Sequence, residues 1–417
     1  MFTQGNDVIQ RINTDFYQKG VSAVNIGIFT DTYFPQVSGV ATSIKTLKNE
    51  LERQGNQVYI FTTTDPHVDK DTYEQNIFRF SSIPFISFTD RRIAVRGLFQ
   101  AYEIAKELNL DIVHTQTEFS MGMIGKFVAK NLNIPVVHTY HTMYEDYLHY
   151  VANGKLLKPV HVKEGTLAFC YHLSGVIAPS DRVLDKLTDY GVKSEIRIIP
   201  TGIDVDMYAE EIKTDIRAEY HISKDTPLML SISRLAYEKN ISEVIDYLPK
   251  ILQRVPNAVL MIVGDGPAKD DLMSQTHALQ LDDHVIFTGE VENDHVNAFY
   301  RACDVFVSTS KSESQGLTYI EAMAAGLPVV VAASDYTNGL LNAETLGQTF
   351  KQDDEFVGIV THYLKHEVDT KTPKAQQILK TKLTAISAET FGKRVIDFYH
   401  SVAVAQELQD DATTNID

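Results

Sequence analysis

The sequence predicts an α/β protein with two doubly wound parallel sheets in series, each covered by helices on both faces. From Val24 onwards, short apolar runs alternate with amphipathic stretches of helical length, a pattern typical of parallel sheets. The alternation restarts after a hinge near residues 200–226. A length of 417 residues fits two or three domains of ordinary size.

The first domain is predicted to begin with a buried strand at residues 24–30 and a helix at 39–54. Ile44, Leu47 and Leu51 fall at helical spacing, and Gly55 is expected to end the helix. The remaining predicted strands of this domain are 57–63, 111–115, 135–139, 175–178 and 196–199.

The second domain repeats the pattern and is followed by a closing helix at 386–404. Its polar continuation at the end of the chain is expected to fray. We predict domains at residues 1–203 and 204–385, with the closing helix and tail at 386–417. The predicted strands of the second domain are 227–233, 258–263, 284–288, 304–308 and 328–332.

Charge is divided unevenly between the two halves. Residues 1–200 carry a net charge of −1, whereas residues 201–417 carry −16. The overall charge of −17 argues against a nucleic-acid partner. The beginning of the chain lacks the apolar core of a signal peptide, no run is long enough to span a membrane, and the two cysteines are predicted to be buried and reduced. Together these features predict a cytoplasmic protein.

Two open α/β domains in series are expected to bind a ligand where the carboxyl ends of their strands face one another. After the first strand, Gly39 and Val40 open a helix whose amides could approach an anion, although a plain turn is the alternative. The glycine pattern of a dinucleotide site is missing here, so an NAD enzyme is disfavoured. After the strand at 135–139, His141 could hydrogen-bond a sugar or phosphate, or it could be structural, as could His114 and His138.

The second domain places two cations, Arg234 and Lys239, in the loop after its first strand. Arginine and lysine at such a position suit a diphosphate whose charge grows as it leaves, whereas a solvated basic turn is the alternative. Gly264 and Gly266 follow the next strand and permit either close backbone packing or a base-binding turn.

A segment at residues 312–323 is the most informative part of the sequence. Glu313 lies in the loop before a helix, and Glu321 lies within that helix. Helix-opening amides suit a diphosphate, while the two carboxylates could bind ribose and a donor sugar, or cap and pack the helix. The predicted donor-binding residues of this segment are Gly316, Leu317, Thr318 and Glu321.

Metal chemistry is not expected at the Asp204-Val205-Asp206 sequence. These carboxylates follow the hinge segment Pro200-Thr201-Gly202-Ile203, and the sequence shows no further ligand cluster beside them. No cofactor is expected to be required, and Mg²⁺ would be nonessential.

These motifs together resemble glycosyltransferase family 4, the retaining enzymes of the GT-B fold. The resemblance covers residues 24 to about 400 and includes Ser38-Gly39-Val40 and the hinge segment. It implies that Arg234 and Lys239 bind the diphosphate of a nucleotide sugar, that Glu321 binds ribose, and that Glu313 and His141 contact the donor sugar. Of these residues, His141, Glu313, Arg234 and Lys239 would carry catalysis by front-face displacement.

Within that family, residues 31–44, 138–147 and 312–321 are similar to the diacylglycerol glucosyltransferases of Gram-positive bacteria. The subgroup implies UDP-glucose as donor and the 3-hydroxyl of 1,2-diacylglycerol as acceptor. Its product is monoglucosyl-diacylglycerol, used for membrane glycolipids and lipoteichoic acid anchors. One departure from the wider family is the loop at residues 335–340, which lacks the usual Gly-Gly pair and glutamate.

A lipid acceptor agrees with residues 78–99, which contain five phenylalanines, four arginines and one aspartate. Apolar groups beside arginines suit an anionic membrane surface, although core aromatics with surface arginines are the alternative. Residues 155–173 add lysines beside leucines. We expect a peripheral protein on the inner face of the membrane, with these acceptor and membrane residues: Phe85, Phe88, Arg91, Arg92 and Arg96.

Two alternatives remain open. The same chemistry could act on a soluble acceptor such as a small alcohol, a polysaccharide or a protein glycan, or the chain could be a sugar-nucleotide epimerase on the same fold. A non-enzymatic sugar-binding subunit is disfavoured, because the set Arg234, Lys239, Glu313 and Glu321 is intact.

Overall fold

The computed structural model describes residues 23–36, 38–68, 73–85, 88–145, 158–209, 214–292, 295–365 and 368–414. The chain forms two compact units. The first contains the residues up to Pro179, Val183–Pro200 and the residues from Phe391 on; the second contains Ser180–Arg182 and Thr201–Thr390. The predicted boundaries were at 203/204 and 385/386. Among the described residues, no helix is long and apolar enough to cross a membrane.

The first unit is built on alternating strands and helices, as the sequence predicted. Its elements are β1 Asn25–Phe29, α1 Gly39–Arg53, β2 Gln57–Thr63, β3 Ile77–Phe80, β4 Ser82–Phe85, β5 Phe88–Ala94, α2 Leu98–Glu107, β6 Ile112–Thr115, α3 Ser120–Leu132, β7 Val136–Thr139, α4 Pro159–Cys170, β8 Gly175–Ala178, α5 Asp181–Tyr190 and β9 Glu195–Ile198.

Among the described residues, seven parallel strands of this unit form one sheet in the order β3-β2-β1-β6-β7-β8-β9. The strand order reverses between β1 and β6, which pair in register from Ile26 with Ile112 to Phe29 with Thr115. At such a reversal the loops after the two strands diverge, which leaves a crevice at the carboxyl end of the sheet. The residues after β1 and β6 are therefore placed beside this crevice.

The second unit repeats this architecture. Its elements are α6 Val205–Ala209, α7 Ile216–Glu219, β10 Leu228–Ile232, α8 Ile241–Leu252, β11 Val259–Val263, α9 Lys269–Ala278, β12 Val285–Gly289, α10 Val296–Ala302, β13 Val305–Ser308, α11 Leu317–Ala324, β14 Val329–Ala332, α12 Asp335–Leu340, β15 Gly347–Phe350, α13 Asp353–Leu364 and α14 Pro373–Ala385.

The sheet of the second unit has the parallel order β12-β11-β10-β13-β14-β15. Its strand order reverses between β10 and β13, so the loops that follow these two strands border the crevice of this unit. The strands predicted for both units are confirmed, with differences only at their ends. The sequence analysis did not predict the edge strands β3 and β15 or the hairpin of β4 and β5.

The last helix, α15 Ala388–Thr414, packs on the first unit. Its apolar side chains Phe391, Val395 and Phe398 share a core with Ile26 and Ile28 of β1. The expectation that the polar end of the chain frays is wrong as far as Thr414, because the helix continues to that residue. One buried apolar stripe thus anchors a helix whose later turns are mostly exposed.

Helix α15 lies very close to the sheet at Gly175 of β8. A Cβ atom at this position would lie 2.4 Å from the Cζ atom of Phe398, which is closer than any tolerated carbon–carbon contact. Glycine at this position therefore leaves room for the tip of the Phe398 ring to approach the strand.

Candidate active site

In the second unit, the loop after β10 carries the two predicted cations. Arg234 is exposed, and Lys239 ends a short 3₁₀ turn formed by Tyr237–Lys239. Asn240 then adopts a left-handed conformation, with φ of 51°, and α8 begins at the next residue. The turn delivers the Lys239 side chain to the loop that follows β13, the neighbouring strand at the reversal of the sheet.

Glu313 forms an ion pair with Lys239. The Nζ atom of Lys239 lies 2.6 Å from Oε1 of Glu313, and the two side chains are 18% and 22% exposed. A partly buried ion pair is screened less by salt than a surface pair. The sequence predicted Lys239 and Glu313 as members of one site, and the structure shows that their side chains are in direct contact.

Gly316 is the N-cap residue of α11, directly after this loop. Its φ of +71° lies in the left-handed region, and a Cβ atom would lie 2.6 Å from the ring of Tyr319. No side chain caps the first turn in the described structure, so the amides of Leu317 and Thr318 stand at an uncapped helix N-terminus. Such a terminus attracts an anion such as a diphosphate.

Glu321 projects from the second turn of α11 and is nearly buried, at 8% exposure. Its Oε2 atom accepts a hydrogen bond of 2.8 Å from the Tyr300 hydroxyl. Burial raises the pKa of the Glu321 carboxyl, and the bond from Tyr300 opposes that rise. Tyr300 was not among the predicted residues, because it lies in an apolar helix with no motif of its own.

Gly264 and Gly266 pack the loop after β11 against the loop after β10. Cβ atoms on these glycines would lie 2.0 Å from the Ser233 carbonyl oxygen and 2.5 Å from the Leu235 carbonyl oxygen. This close backbone packing is one of the two roles that the sequence left open, and the base-binding turn stays a prediction. Gly264 supports the segment that carries Arg234.

Gln315 fixes the hinge segment to the same loop. Its side-chain amide accepts from the Thr201 amide at 2.8 Å and donates to the Thr201 carbonyl at 2.7 Å. This two-point contact holds the backbone between Glu313 and Gly316. No local sequence pattern indicates this contact, because the two residues are 114 positions apart.

The predicted loop at residues 335–340 is a short helix, α12, rather than a loop. Ser334 and Thr337 form a reciprocal capping box at its start. Burial, and then the nearby charge of Glu313, raise the pKa of Tyr336. Tyr336 thus lies within electrostatic reach of the Lys239–Glu313 pair.

Asp204 caps the start of α6. Its Oδ1 accepts the amides of Asp206 and Met207 at 3.2 and 3.4 Å. The described residues contain no group of three or more histidine, cysteine, aspartate or glutamate side chains placed to hold a metal ion.

In the first unit, His141 lies two residues beyond β7. Its Nε2 atom is 2.6 Å from Oε1 of Gln116, which follows β6. Desolvation, followed by the neighbouring His138, lowers the pKa of His141 to about 3. The imidazole is therefore neutral at physiological pH, and its bond to Gln116 places the proton on Nε2.

The other two histidines of this region are structural. His114 is fully buried between the Tyr399 hydroxyl, at 2.6 Å, and Thr139 Oγ1, at 2.7 Å. His138 is bonded to Thr115 and Glu118. The position of His141 after the strand, rather than within the sheet, distinguishes it from both.

Gly39 and Val40 form the first turn of α1. The Ser38 side chain accepts from the Ala41 amide at 3.1 Å and so caps the helix. Asp31, earlier in the same loop, performs a similar task for α3: its carboxylate accepts from the Met121 amide and from the Thr117 hydroxyl. This loop therefore stabilises the starts of two helices. The amides of Gly39 and Val40 lie at the N-terminus of α1.

The predicted membrane segment forms the β4–β5 hairpin, followed by α2. Arg92 donates to Oγ and to the carbonyl oxygen of Ser82, both at 2.8 Å, so it braces the hairpin. Arg96 is exposed. The side chains of Phe85, Phe88 and Arg91, and residues 155–157, lie outside the described part of the structure.

Several apolar side chains in and near this hairpin are exposed, and one of them, Met123, lies outside the segment that the sequence singled out. Phe99 of α2 is 74% exposed, and Met123 of α3 is 54% exposed. The Phe99 ring contacts Phe127, which lies one turn after Met123, at 6.0 Å. Ile83 in β4 and Val95 directly after β5 are also more than half exposed.

Comparison with known proteins agrees with this arrangement. Residues 37–207 match the family described as Glycosyltransferase Family 4, and residues 212–377 match Glycosyl transferases group 1. The chain is 45% identical to an alpha-monoglucosyldiacylglycerol synthase of Streptococcus pneumoniae, over 93% of this chain and 88% of the other. It is 33% identical to the synthase of that name from Acholeplasma laidlawii, over 90% and 98%.

Among solved structures, the Anabaena protein HepE in complex with UDP superposes with a TM-score of 0.71 at 19% identity, over 91% of this chain and all of HepE. Such a likeness shows the fold, with its two parallel-sheet Rossmann-like domains. The chain therefore belongs to glycosyltransferase family 4 and is a glycosyltransferase of the GT-B fold.

Proposed function

We propose that this glycosyltransferase moves glucose from UDP-glucose to the 3-hydroxyl of 1,2-diacylglycerol, forming α-monoglucosyldiacylglycerol. The observation that carries the proposal is the likeness, over nearly the whole chain, to two enzymes named for that product. The contacts of the second unit support a nucleotide sugar as donor.

Three groups of that unit would hold the leaving diphosphate. Arg234 and Lys239 supply positive charge, and the start of α11 supplies uncapped amides. Fixed positive groups stabilise a transition state most where negative charge develops. As the bond to glucose breaks, that charge develops on the phosphate oxygen, beside these three groups.

Two carboxylates would bind hydroxyl groups rather than attack carbon. Glu313 is paired with Lys239, and Glu321 is buried and bonded to Tyr300. In this proposal Glu321 accepts from the ribose and Glu313 from the glucose. Since neither would act as nucleophile, retention would follow from front-face displacement, in which the leaving phosphate takes the proton of the acceptor hydroxyl.

His141 would contact the donor sugar as a neutral imidazole. Its pKa of about 3 keeps it uncharged, so it can exchange hydrogen bonds with a sugar hydroxyl without adding a charge near the diphosphate. No cofactor is needed for these steps, and Mg²⁺ would at most help to neutralise the diphosphate.

The acceptor side of the proposal rests on the surface of the first unit. Phe99, Met123, Ile83, Val95 and Arg96 of this unit are all exposed. Apolar side chains next to cations bind the interface of an anionic membrane. We propose that this surface holds the enzyme at the inner face of the membrane, where diacylglycerol resides.

The test is transfer of radiolabel from UDP-glucose into diacylglycerol in mixed micelles with anionic lipid. We expect a labelled monoglucosyl lipid with the α configuration. Label in a soluble product, with none in lipid, would replace the acceptor with a small alcohol or a glycan. Release of an altered free sugar without acceptor would indicate an epimerase.

The variant Glu313→Ala tests the site within that assay. We expect transfer below about a tenth of wild type, since a hydrogen-bonding group of the transition state is removed. Glu407→Ala is the matched control, because Glu407 is exposed on α15. Turnover by Glu313→Ala at the level of the control would remove Glu313 from the mechanism.

A further inference from the structure

Tyr300 is a buried residue that contacts the candidate site through Glu321. Its side chain is completely buried in α10, and its hydroxyl lies 2.8 Å from Oε2 of Glu321. A buried hydroxyl and a nearly buried carboxylate are each costly unless they are hydrogen-bonded. The hydrogen bond between the Tyr300 hydroxyl and the Glu321 carboxylate therefore stabilises both buried groups.

The tyrosine ring alone does not explain why a hydroxyl is present. The ring packs between Tyr208 and Phe306, with centroid distances of 6.1 Å to each. Phenylalanine would fill the same space and make the same contacts without burying an oxygen. What distinguishes tyrosine at this position is its bond to the carboxylate.

That bond fixes the orientation of the carboxylate. The terminal torsion of a glutamate is broad, so an unrestrained carboxylate samples many rotations. Among the described residues, Tyr300 is the one that donates a hydrogen bond to the Glu321 carboxylate, at Oε2. A carboxylate has about four lone-pair sites, so Oε1 and the second site of Oε2 can each accept one hydroxyl of a vicinal diol.

The charge states support this geometry. Burial raises the pKa of Glu321, and donation by Tyr300 favours the ionised form that accepts two hydroxyls. Burial and the adjacent Glu321 charge raise the pKa of Tyr300 well above its ordinary value. Tyr300 therefore stays protonated and donates.

We propose that Tyr300 is a positioning residue that makes the nucleotide site selective for ribose over 2′-deoxyribose, by holding the Glu321 carboxylate so that it accepts both ribose hydroxyls. The inference rests on the proposed function, because Glu321 meets a ribose only if a nucleotide sugar binds the second unit. Without Tyr300, the carboxylate would rotate and favour one hydroxyl, and the second would lose its defined acceptor.

The experiment compares the affinities of the full-length protein for UDP and for 2′-deoxy-UDP by titration calorimetry. For wild type we expect about a tenfold or greater preference for UDP, as loss of a hydrogen bond to a charged group predicts. For Tyr300→Phe we expect the preference to fall to about threefold or less, mainly through weaker UDP binding.

Two further variants separate positioning from general damage. Tyr399→Phe removes an equally buried hydroxyl, bonded to His114 in the first unit, and should keep the wild-type preference. Glu321→Gln should lose the preference. Thermal unfolding establishes that each variant is folded.

The outcomes distinguish this inference from the proposal on which it rests. A wild-type preference retained by Tyr300→Phe, while Glu321→Gln loses it, overturns the role of Tyr300 and leaves the proposed function standing. Equal binding of the two nucleotides by wild type also overturns the inference. Failure of wild type to bind UDP at all would defeat the proposed function as well.

Discussion

The Nζ atom of Lys239 and the Oε1 atom of Glu313 lie 2.6 Å apart and join the two loops at the reversal of the second sheet. The residue proposed to bind the diphosphate, Lys239, is thus ion-paired with the residue proposed to bind glucose, Glu313. A diphosphate that binds Lys239 must compete with Glu313 for the ammonium. Donor binding would then release the carboxylate towards the sugar hydroxyls, which couples the two halves of the donor site.

Lys239→Met should lower kcat/KM for the donor by about 100-fold or more, because a fixed cation beside a developing charge contributes roughly 3 kcal/mol. Most of the loss should be in kcat, since the charge of the leaving group grows in the transition state. Lys250→Met is the control, because Lys250 makes a surface pair with Asp354, and it should stay within about twofold of wild type. A loss confined to KM would reassign Lys239 to ground-state binding.

The sequence predicted the positions of site residues better than their contacts. Glu313 and Gly316 could be placed because a strand pattern ends before them and a helix pattern follows. The Lys239–Glu313 pair joins residues 74 positions apart, and the Tyr300 hydroxyl is hidden in an apolar helix. Such contacts depend on the packing of neighbouring loops and helices, and single-sequence patterns do not encode it.

The hairpin shows the same limit for surfaces. Composition marked residues 78–99 as aromatic and basic, but it could not separate Arg92, which braces Ser82, from Arg96, which is exposed. Nor could it find Met123, which joins the same surface from another helix. Edge strand β15 escaped prediction because its sequence, Gly347–Phe350, has little apolar character.

Acid should destabilise the first unit through His114. Burial lowers the pKa of His114 well below 6.5, and the neighbouring His138 and His141 add to that lowering. The unfolded chain therefore binds a proton that the folded chain excludes, so stability is full above about pH 6.5 and falls as the pH drops below it. From pH 7 to 5.5 one such histidine accounts for a loss of about 1.3 kcal/mol.

The measurement is urea denaturation at those two pH values. His114→Gln should be less stable than wild type at pH 7, yet it should lose about 1.3 kcal/mol less on acidification. His277→Gln, at a side chain that is 84% exposed, should keep the wild-type pH dependence. An unchanged dependence in His114→Gln would mean that other groups govern acid stability.

Gly175→Ala should destabilise the protein by about 1–3 kcal/mol, because the new methyl group overlaps the buried Phe398 ring at the contact between β8 and α15. Gly165→Ala is a matched control on the exposed face of α4, where a Cβ meets nothing within 4 Å. It should stabilise by about 0.5–1 kcal/mol through helix propensity. Thermal unfolding measures both, and equal effects would show that α15 is not tightly packed at this point.

Membrane binding should depend on Phe99 and Met123 more than on Arg92. Both apolar side chains are exposed. Phe99 contacts Phe127, and Met123 lies one helical turn before Phe127. Changing both to serine therefore removes apolar area that would enter the interface. At about 25 cal/mol per Å² of buried area, we expect binding to anionic vesicles to weaken by tenfold or more.

The control and a charge variant complete this test in vesicle sedimentation. Met273→Ser removes a side chain that is 47% exposed on α9 of the second unit and should not change binding. Arg96→Glu should weaken binding to anionic vesicles but not to neutral ones, since its contribution is electrostatic. If the Phe99 and Met123 double variant sediments like wild type, this surface does not meet the membrane, and the acceptor must reach the enzyme by another face.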